Sequence, residues 1–296
     1  MASIRSQLLA VILRMTVKKT FAKSGDLIKE RESMDKMSAM SVKCERGRLA
    51  EMGGVPGEWH EPELGSKDTV VLYLHGGGYV LGSPTSHRGL AVLMAKLAQA
   101  RVFVLDYRLA PETPYPGALD DAISAYKGLL ENGEMPENIV IAGDSAGGGL
   151  TISLMVALKE QGVALPAAGV CLSPWVDLSF SGDSMQTNAK EDSILCKESL
   201  AWLGEQYLAE LATTDSRVSP VFADLAGLPP LLIQVGSKEV LLDDAVRLNK
   251  LAKKAGVDST LEVWDGQVHV WQLMSRLIPE ARQALQVIGL FIKTHT

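Results

Sequence analysis

Cysteine is scarce in this 296-residue chain: Cys44, Cys171 and Cys196 are odd in number, widely spaced and free of any Cys-x-x-Cys pair. That set excludes a disulfide framework and leads us to expect a reduced cytoplasm. Long apolar runs are also missing. No stretch of 18 apolar residues occurs, so no transmembrane helix and no stable membrane insertion are expected. Positive charge is not in excess, since 29 Lys and Arg face 35 Asp and Glu for a net charge of −6. Without a basic surface field, nucleic acid is excluded as a partner class. No repeat, low-complexity tract or charge block divides the chain, and neither G-x-x-x-x-G-K-[ST] nor a strand-following G-x-G-x-x-G is present to cradle phosphate.

Arg5 followed by the apolar run Leu8 to Leu13 has the outline of a secretory signal, but Arg14 cuts the run short of the roughly 7–15 apolar residues such a core needs. Ile4, Leu8, Val11 and Met15 instead recur at helical spacing, flanked by Arg5, Arg14, Lys18 and Lys19. This pattern predicts an amphipathic helix packed into a cap, with membrane-surface association as the alternative.

Along the rest of the chain, short apolar runs such as Val70–Leu74, Ile139–Ala142, Leu231–Val235 and Thr260–Trp264 alternate with helical patterns. That alternation predicts an α/β fold with a mostly parallel sheet covered on both faces. Residues 46–296 read as one catalytic domain. An insertion at about 178–223, with a helix-like stretch over 193–211, joins N-terminal helices within 1–45 to form the cap. Thr260–Trp264 reads as an unpaired edge strand with alternating apolar residues, from which a homodimer is expected.

Two motifs carry chemistry. Gly143-Asp144-Ser145-Ala146-Gly147 lies between an apolar run and a helical pattern, the setting of a G-x-S-x-G nucleophile elbow. A serine on that turn is strained, and a side chain at 143 or 147 would strike the neighbouring strand or helix. His75-Gly76-Gly77-Gly78 follows the Val70–Leu74 run and fits an oxyanion loop, with the N–H groups of Gly77, Gly78 and Ala146 as donors and Ala146 at a helix N-terminus. The elbow needs a base later in the chain. His269 and His295 qualify by order, and His295 is next to the fraying terminus, so His269 is the candidate. His75, His87 and His60 all read as structural, His60 in a polar segment without a companion. The orienting acid follows Leu231–Val235. Glu239, in the turn, is favoured over Asp243 and Asp244, which open the next helix, where an acid also suits the dipole. Tyr79, Met185, Trp202 and Tyr207 are candidate pocket residues, although such spacing also suits plain core.

Taken together, His75-Gly76-Gly77-Gly78-Tyr79, Asp106-Tyr107-Arg108-Leu109-Ala110-Pro111-Glu112, Gly143-Asp144-Ser145-Ala146-Gly147-Gly148, Ser173-Pro174-Trp175 and the His269 loop resemble the hormone-sensitive lipase-like, or family IV bacterial, esterases of the α/β-hydrolase superfamily. The resemblance covers nearly the whole chain. It implies Ser145 as nucleophile, oxyanion donors at Gly77, Gly78 and Ala146, a cap over the site and a small-molecule ester substrate of short-to-medium acyl length. Glu239-Val240-Leu241 departs from the usual Asp-Pro-Leu and is similar to a metagenomic subgroup that uses glutamate, while Thr113 stands where histidine is frequent. The expected activity is ester hydrolysis through Ser145, His269 and Glu239, with no metal and no organic cofactor. An amidase or lactone hydrolase would share these residues, and a non-catalytic homologue binding a ligand under the cap is the alternative from another class.

Overall fold

The computed structural model describes residues 2–21, 26–41, 45–62 and 68–296. Cys44 and the side chains of Lys18 and Lys19 lie outside the described residues. The chain begins with helices α1 (Ile4–Phe21) and α2 (Leu27–Ser41), then strands β1 (Arg48–Met52), β2 (Val55–His60) and β3 (Val70–Leu74). Next come α3 (Pro84–Ala98), β4 (Arg101–Leu105), α4 (Gly117–Glu131), β5 (Ile139–Asp144), α5 (Ala146–Glu160) and β6 (Ala168–Leu172). Then follow α6 (Ser184–Thr187), α7 (Lys197–Tyr207), β7 (Leu231–Gly236), α8 (Leu242–Lys254), β8 (Ser259–Trp264) and α9 (Pro279–His295).

Among the described residues, eight strands form one sheet in the order β1-β2-β4-β3-β5-β6-β7-β8. Only the β1–β2 and β2–β4 pairings are antiparallel. Strands β3, β5, β6 and β7 are buried at every position because both faces are covered, and their residues are mostly apolar. Val70, Leu72 and Leu74 join Phe103, Ile141 and Ile233 against helices α4, α5 and α8, whereas Val71 and Tyr73 join Val102, Val140 and Val170 against α3 and α9. Since β3, β5, β7 and β8 run parallel, the loops after their C-terminal ends emerge along one edge. This is where open α/β sheets place their sites.

The segment between β6 and β7 is less helical than its composition suggests. The helix expected over 193–211 is confined to α7. Buried Asp192 accepts the N–H groups of Ile194 and Leu195, both at 2.8 Å, and holds these residues outside the helix. Helix α7 then starts from a capping box of Cys196 and Ser199, and beyond it Ala209 takes a left-handed φ of 52°.

The N-terminal helix forms, but with the opposite face inward from the one its spacing suggests. Ala10, Leu9 and Leu13 pack on Val268, Trp271, Ile278 and Ala281, while Ile4, Leu8, Val11 and Met15 point outward. Small side chains won the contact. Ser6 is buried and donates to Gln267 Oε1 at 2.8 Å, so the helix approaches closely along its Ser6–Ala10 edge. Helix α2 is tied down by Arg31, which donates to the carbonyls of Val80 (2.8 Å) and Ala110 (2.9 Å) and pairs with Glu112 at 2.8 Å. His60 has a companion that its polar segment does not suggest: it is buried on β2 with Nε2 3.3 Å from Glu58.

Replacing Leu72, fully buried in the middle of β3, tests how much the sheet core carries. Leu72→Ala should lower unfolding free energy by about 2–5 kcal/mol through lost transfer energy and the cavity left behind. The urea midpoint should fall with an unchanged slope, and a shift under about 1 kcal/mol would show the site collapsing to fill the space.

Candidate active site

Strand β5 ends in a turn whose geometry depends on two glycines. Ser145 sits at φ 53°, ψ −122°, a strained conformation for a residue with a Cβ. Its N–H donates to the Leu172 carbonyl at 2.8 Å, and its own carbonyl accepts from Trp175 N–H at 2.9 Å, so β6 and the loop after it clamp the turn on both sides. A Cβ on Gly147 would overlap the Leu74 carbonyl, and one on Gly143 would overlap the Gly147 carbonyl. Strand, turn and helix can therefore approach this closely only with hydrogen at both positions.

His269 comes from the loop after β8. Its Nε2 is 2.9 Å from Ser145 Oγ and its Nδ1 is 2.8 Å from Glu239 Oε2. This geometry fits the tautomer with the proton on Nδ1. The remaining oxygen of Glu239 accepts from Ser173 Oγ at 2.7 Å and from the Gly236 N–H at 2.5 Å, and Ser173 Oγ in turn accepts from the Val270 N–H at 3.1 Å. Glu239 is thus fully buried with both oxygens satisfied, and Ser173 ties its position to the backbone next to His269. Burial pulls the His269 pKa down, but the hydrogen bond and charge of Glu239, with Asp192 and Asp144 adding at longer range, outweigh it and leave the imidazole more basic than an ordinary histidine. Asp243 and Asp244 are engaged elsewhere. Asp243 accepts the Ser184 N–H at 2.8 Å, and Asp244 accepts those of Val176 and Asp177 at 2.9 Å. Burial pushes Asp244 up to about 8.

The glycine loop after β3 turns at Gly77, whose φ of 124° and closeness to the Leu81 carbonyl leave no room for a side chain. The Gly77 carbonyl accepts from Val80 and Leu81. Among the described residues nothing accepts from the N–H groups of Gly77 and Gly78. Ala146 is the first residue of α5, where an N–H has no acceptor within the helix. The root of the loop is anchored on the elbow: Gly76 N–H donates to Asp144 Oδ1 at 3.0 Å, and so does the Tyr73 hydroxyl at 2.7 Å. His87 Nε2 lies 3.2 Å from the same oxygen. Burial lifts the Asp144 carboxyl, but His87 and the Tyr73 bond outweigh that and hold it below the ordinary aspartate value. His75 stacks on Tyr107 at 4.2 Å between ring centroids, and burial lowers its pKa to about 3, so it braces the loop as a neutral ring.

Of the candidate pocket residues, Tyr79 and Tyr207 meet as a stacked pair, 3.7 Å between centroids, joining the glycine loop to α7. Met185 on α6 and half-buried Trp202 on α7 enter the same apolar cluster. Two residues escape a reading from sequence. Leu203 presses its δ-carbons against Gly78, and its only sequence signal is its place one helical turn before Tyr207. Ser173 links Glu239 to the His269 loop, and its signal is the Ser173-Pro174-Trp175 motif itself.

Residues 71–273 match the profile of a family described as having the alpha/beta hydrolase fold. An acetyl-hydrolase of Streptomyces hygroscopicus is 45% identical over 250 residues, 84% of this chain and 83% of that protein. An esterase of Acinetobacter venetianus is 39% identical over 82% of this chain and 80% of its own. Among solved structures, an esterase from the bacterial hormone-sensitive lipase family superposes with a TM-score of 0.93 at 41% identity, covering 100% of this chain and 99% of the other. EstE5, in crystals soaked with p-nitrophenyl butyrate, superposes with a TM-score of 0.95 at 37% identity over 99% of both chains. With this coverage and the geometry above, the chain belongs to the α/β-hydrolase family, among its bacterial hormone-sensitive lipase-like esterases.

Proposed function

We propose that this esterase cleaves carboxylic esters of short-to-medium acyl length through a Ser145, His269, Glu239 triad and a covalent acyl-enzyme. The observation that carries the reading is the continuous chain from Ser145 Oγ to His269 at 2.9 Å and from His269 to Glu239 at 2.8 Å. Ser145 Oγ attacks the ester carbonyl while His269 Nε2 takes its proton, and the developing oxyanion accepts from the N–H groups of Gly77, Gly78 and Ala146. His269 then returns the proton to the departing alcohol. Water, deprotonated by the same nitrogen, attacks the acyl-enzyme, and His269 gives that proton to the departing Ser145 Oγ as the acid is released. Glu239 holds the Nδ1–H tautomer and stabilises the imidazolium.

Leu203 lies against Gly78, and the stacked Tyr79 and Tyr207 are buried in the core beside the glycine loop, so the acyl range rests on the family resemblance. The acetyl-hydrolase name of the Streptomyces relative agrees with it. We assign α1, α2 and the 178–223 insertion to a cap over residues 46–296. Among the described residues no helix is long and apolar enough to cross a membrane. Cys171 and Cys196 are free thiols, which supports our assignment to the cytoplasm.

Ser145→Ala should abolish hydrolysis of p-nitrophenyl acetate, with a loss on the order of 10⁶ in kcat and an unchanged circular dichroism spectrum. Glu239→Gln should cost about 10⁴, whereas Asp243→Asn should cost far less. The reverse ranking would transfer the acid role to Asp243.

The pH profile tests the base. His269 accepts a proton only when neutral, and Glu239 makes it more basic than usual, so kcat/KM should fall as pH drops through a single ionisation centred above the ordinary histidine value of 6.5. In the residual activity of Glu239→Gln the raising charge is gone and burial still lowers, so that limb should move to lower pH. A limb that stays put in this variant would assign the ionisation to another group.

Strand β8 ends the sheet with Val263 exposed, and we propose that two copies pair there as a homodimer. Light scattering at micromolar concentration should give twice 31.8 kDa, and a monomer mass would refute the pairing.

A further inference from the structure

We propose that the outer face of α1 docks on a bilayer surface carrying anionic headgroups. A helix laid against a protein body ordinarily buries its broad apolar face, yet here the body is met through the Ser6, Leu9, Ala10 and Leu13 edge. Left outside are Ile4, Leu8, Val11, Ile12 and Met15, exposed by 84, 60, 55, 49 and 66%. At about 100° per residue these five share one arc of the helix, with Arg5 on one flank and Arg14 on the other. Arg14 is held at the rim by its bond to the Glu191 carbonyl at 2.8 Å.

Charge identifies the occupant. Helix α1 contains Arg5, Arg14, Lys18 and Lys19 and no Asp or Glu, in a chain whose net charge is −6. An apolar stripe edged by cations on an otherwise acidic protein is complementary to an interface of acyl chains beneath anionic headgroups. A second copy using the same face would set like charges against each other, because a two-fold interface pairs a patch with itself. The inner edge of α1 rests on the loop that carries His269, through Ser6 and Gln267 at 2.8 Å and through Ala10 on Val268 and Trp271. Docking therefore holds that loop about one helix diameter, ~10 Å, from the lipid, where esters dissolved in the bilayer surface are concentrated.

Co-sedimentation tests this with vesicles of phosphatidylcholine alone and of phosphatidylcholine containing about one-third phosphatidylglycerol. The protein should bind the anionic vesicles at low salt, should release them at about 0.5 M salt, and should ignore the neutral ones. Leu8→Glu should weaken vesicle binding at least tenfold while leaving p-nitrophenyl acetate hydrolysis and oligomeric mass unchanged. Ser145→Ala should bind as the parent does, so that docking and catalysis are judged separately. Absence of binding, equal binding to neutral vesicles, or binding unmoved by Leu8→Glu overturns the proposal. A fall in oligomeric mass in Leu8→Glu also overturns it and assigns the face to a second copy.

Discussion

Ser145 is held at φ 53° and ψ −122°, which costs about 1–3 kcal/mol for a residue bearing a Cβ, and the packing around it leaves the turn no relaxed alternative. Strand β6 accepts its N–H through Leu172, the loop after β6 donates to its carbonyl through Trp175, and β3 crowds the glycine that follows. The strain is local, but what opposes it is the whole parallel sheet. The same register that brings Leu74 beside Gly143 also delivers the glycine loop to the elbow.

A second constraint is electrostatic. Two buried carboxylates flank the serine, and each is supplied with donors from more than one element. Glu239 receives Ser173, Gly236 and His269, and Asp144 receives Tyr73, Gly76 and His87. A buried carboxylate without such partners would be costly, so these bonds specify the geometry as well as tolerate the charge. Glu239 thereby fixes the orientation of the imidazole, and Asp144 fixes the root of the loop that carries Gly77 and Gly78. Helix α2 extends the same network outward: Asp35 accepts from Ser83 Oγ, and Ser83 caps the helix that carries His87.

Much of this was legible from local pattern. Strands buried on both faces read as continuous apolar runs, and β3, β5, β7 and β8 appear within one or two residues of their expected limits. Motif and chain order point to Ser145, His269 and Glu239, and the structure brings them into one hydrogen-bonded line. Where the structure departs from local pattern, each departure has its own cause. Helical spacing identified α1 but not its inward face, because contact was decided by the small Ser6 and Ala10 rather than by the larger apolar stripe. Composition extends α7 over 193–211, whereas a side-chain acceptor at Asp192 delays its start to Lys197. His60 looked solitary because its companion, Glu58, is two residues away on the same strand, where only sheet burial brings them to matter.

The sequence by itself determined the alternation of strands and helices, the glycines that a strained elbow and a turning loop require, and the order of serine, acid and histidine. These are local properties, written in period and residue size. The tertiary structure decided which carboxylate meets His269, since Glu239, Asp243 and Asp244 lie within six residues and only their surroundings separate them. It also decided that Ser173 and Leu203 join the site and that α1 turns its apolar face outward. Each of these depends on contacts between segments tens to hundreds of residues apart, whose distance no local period encodes.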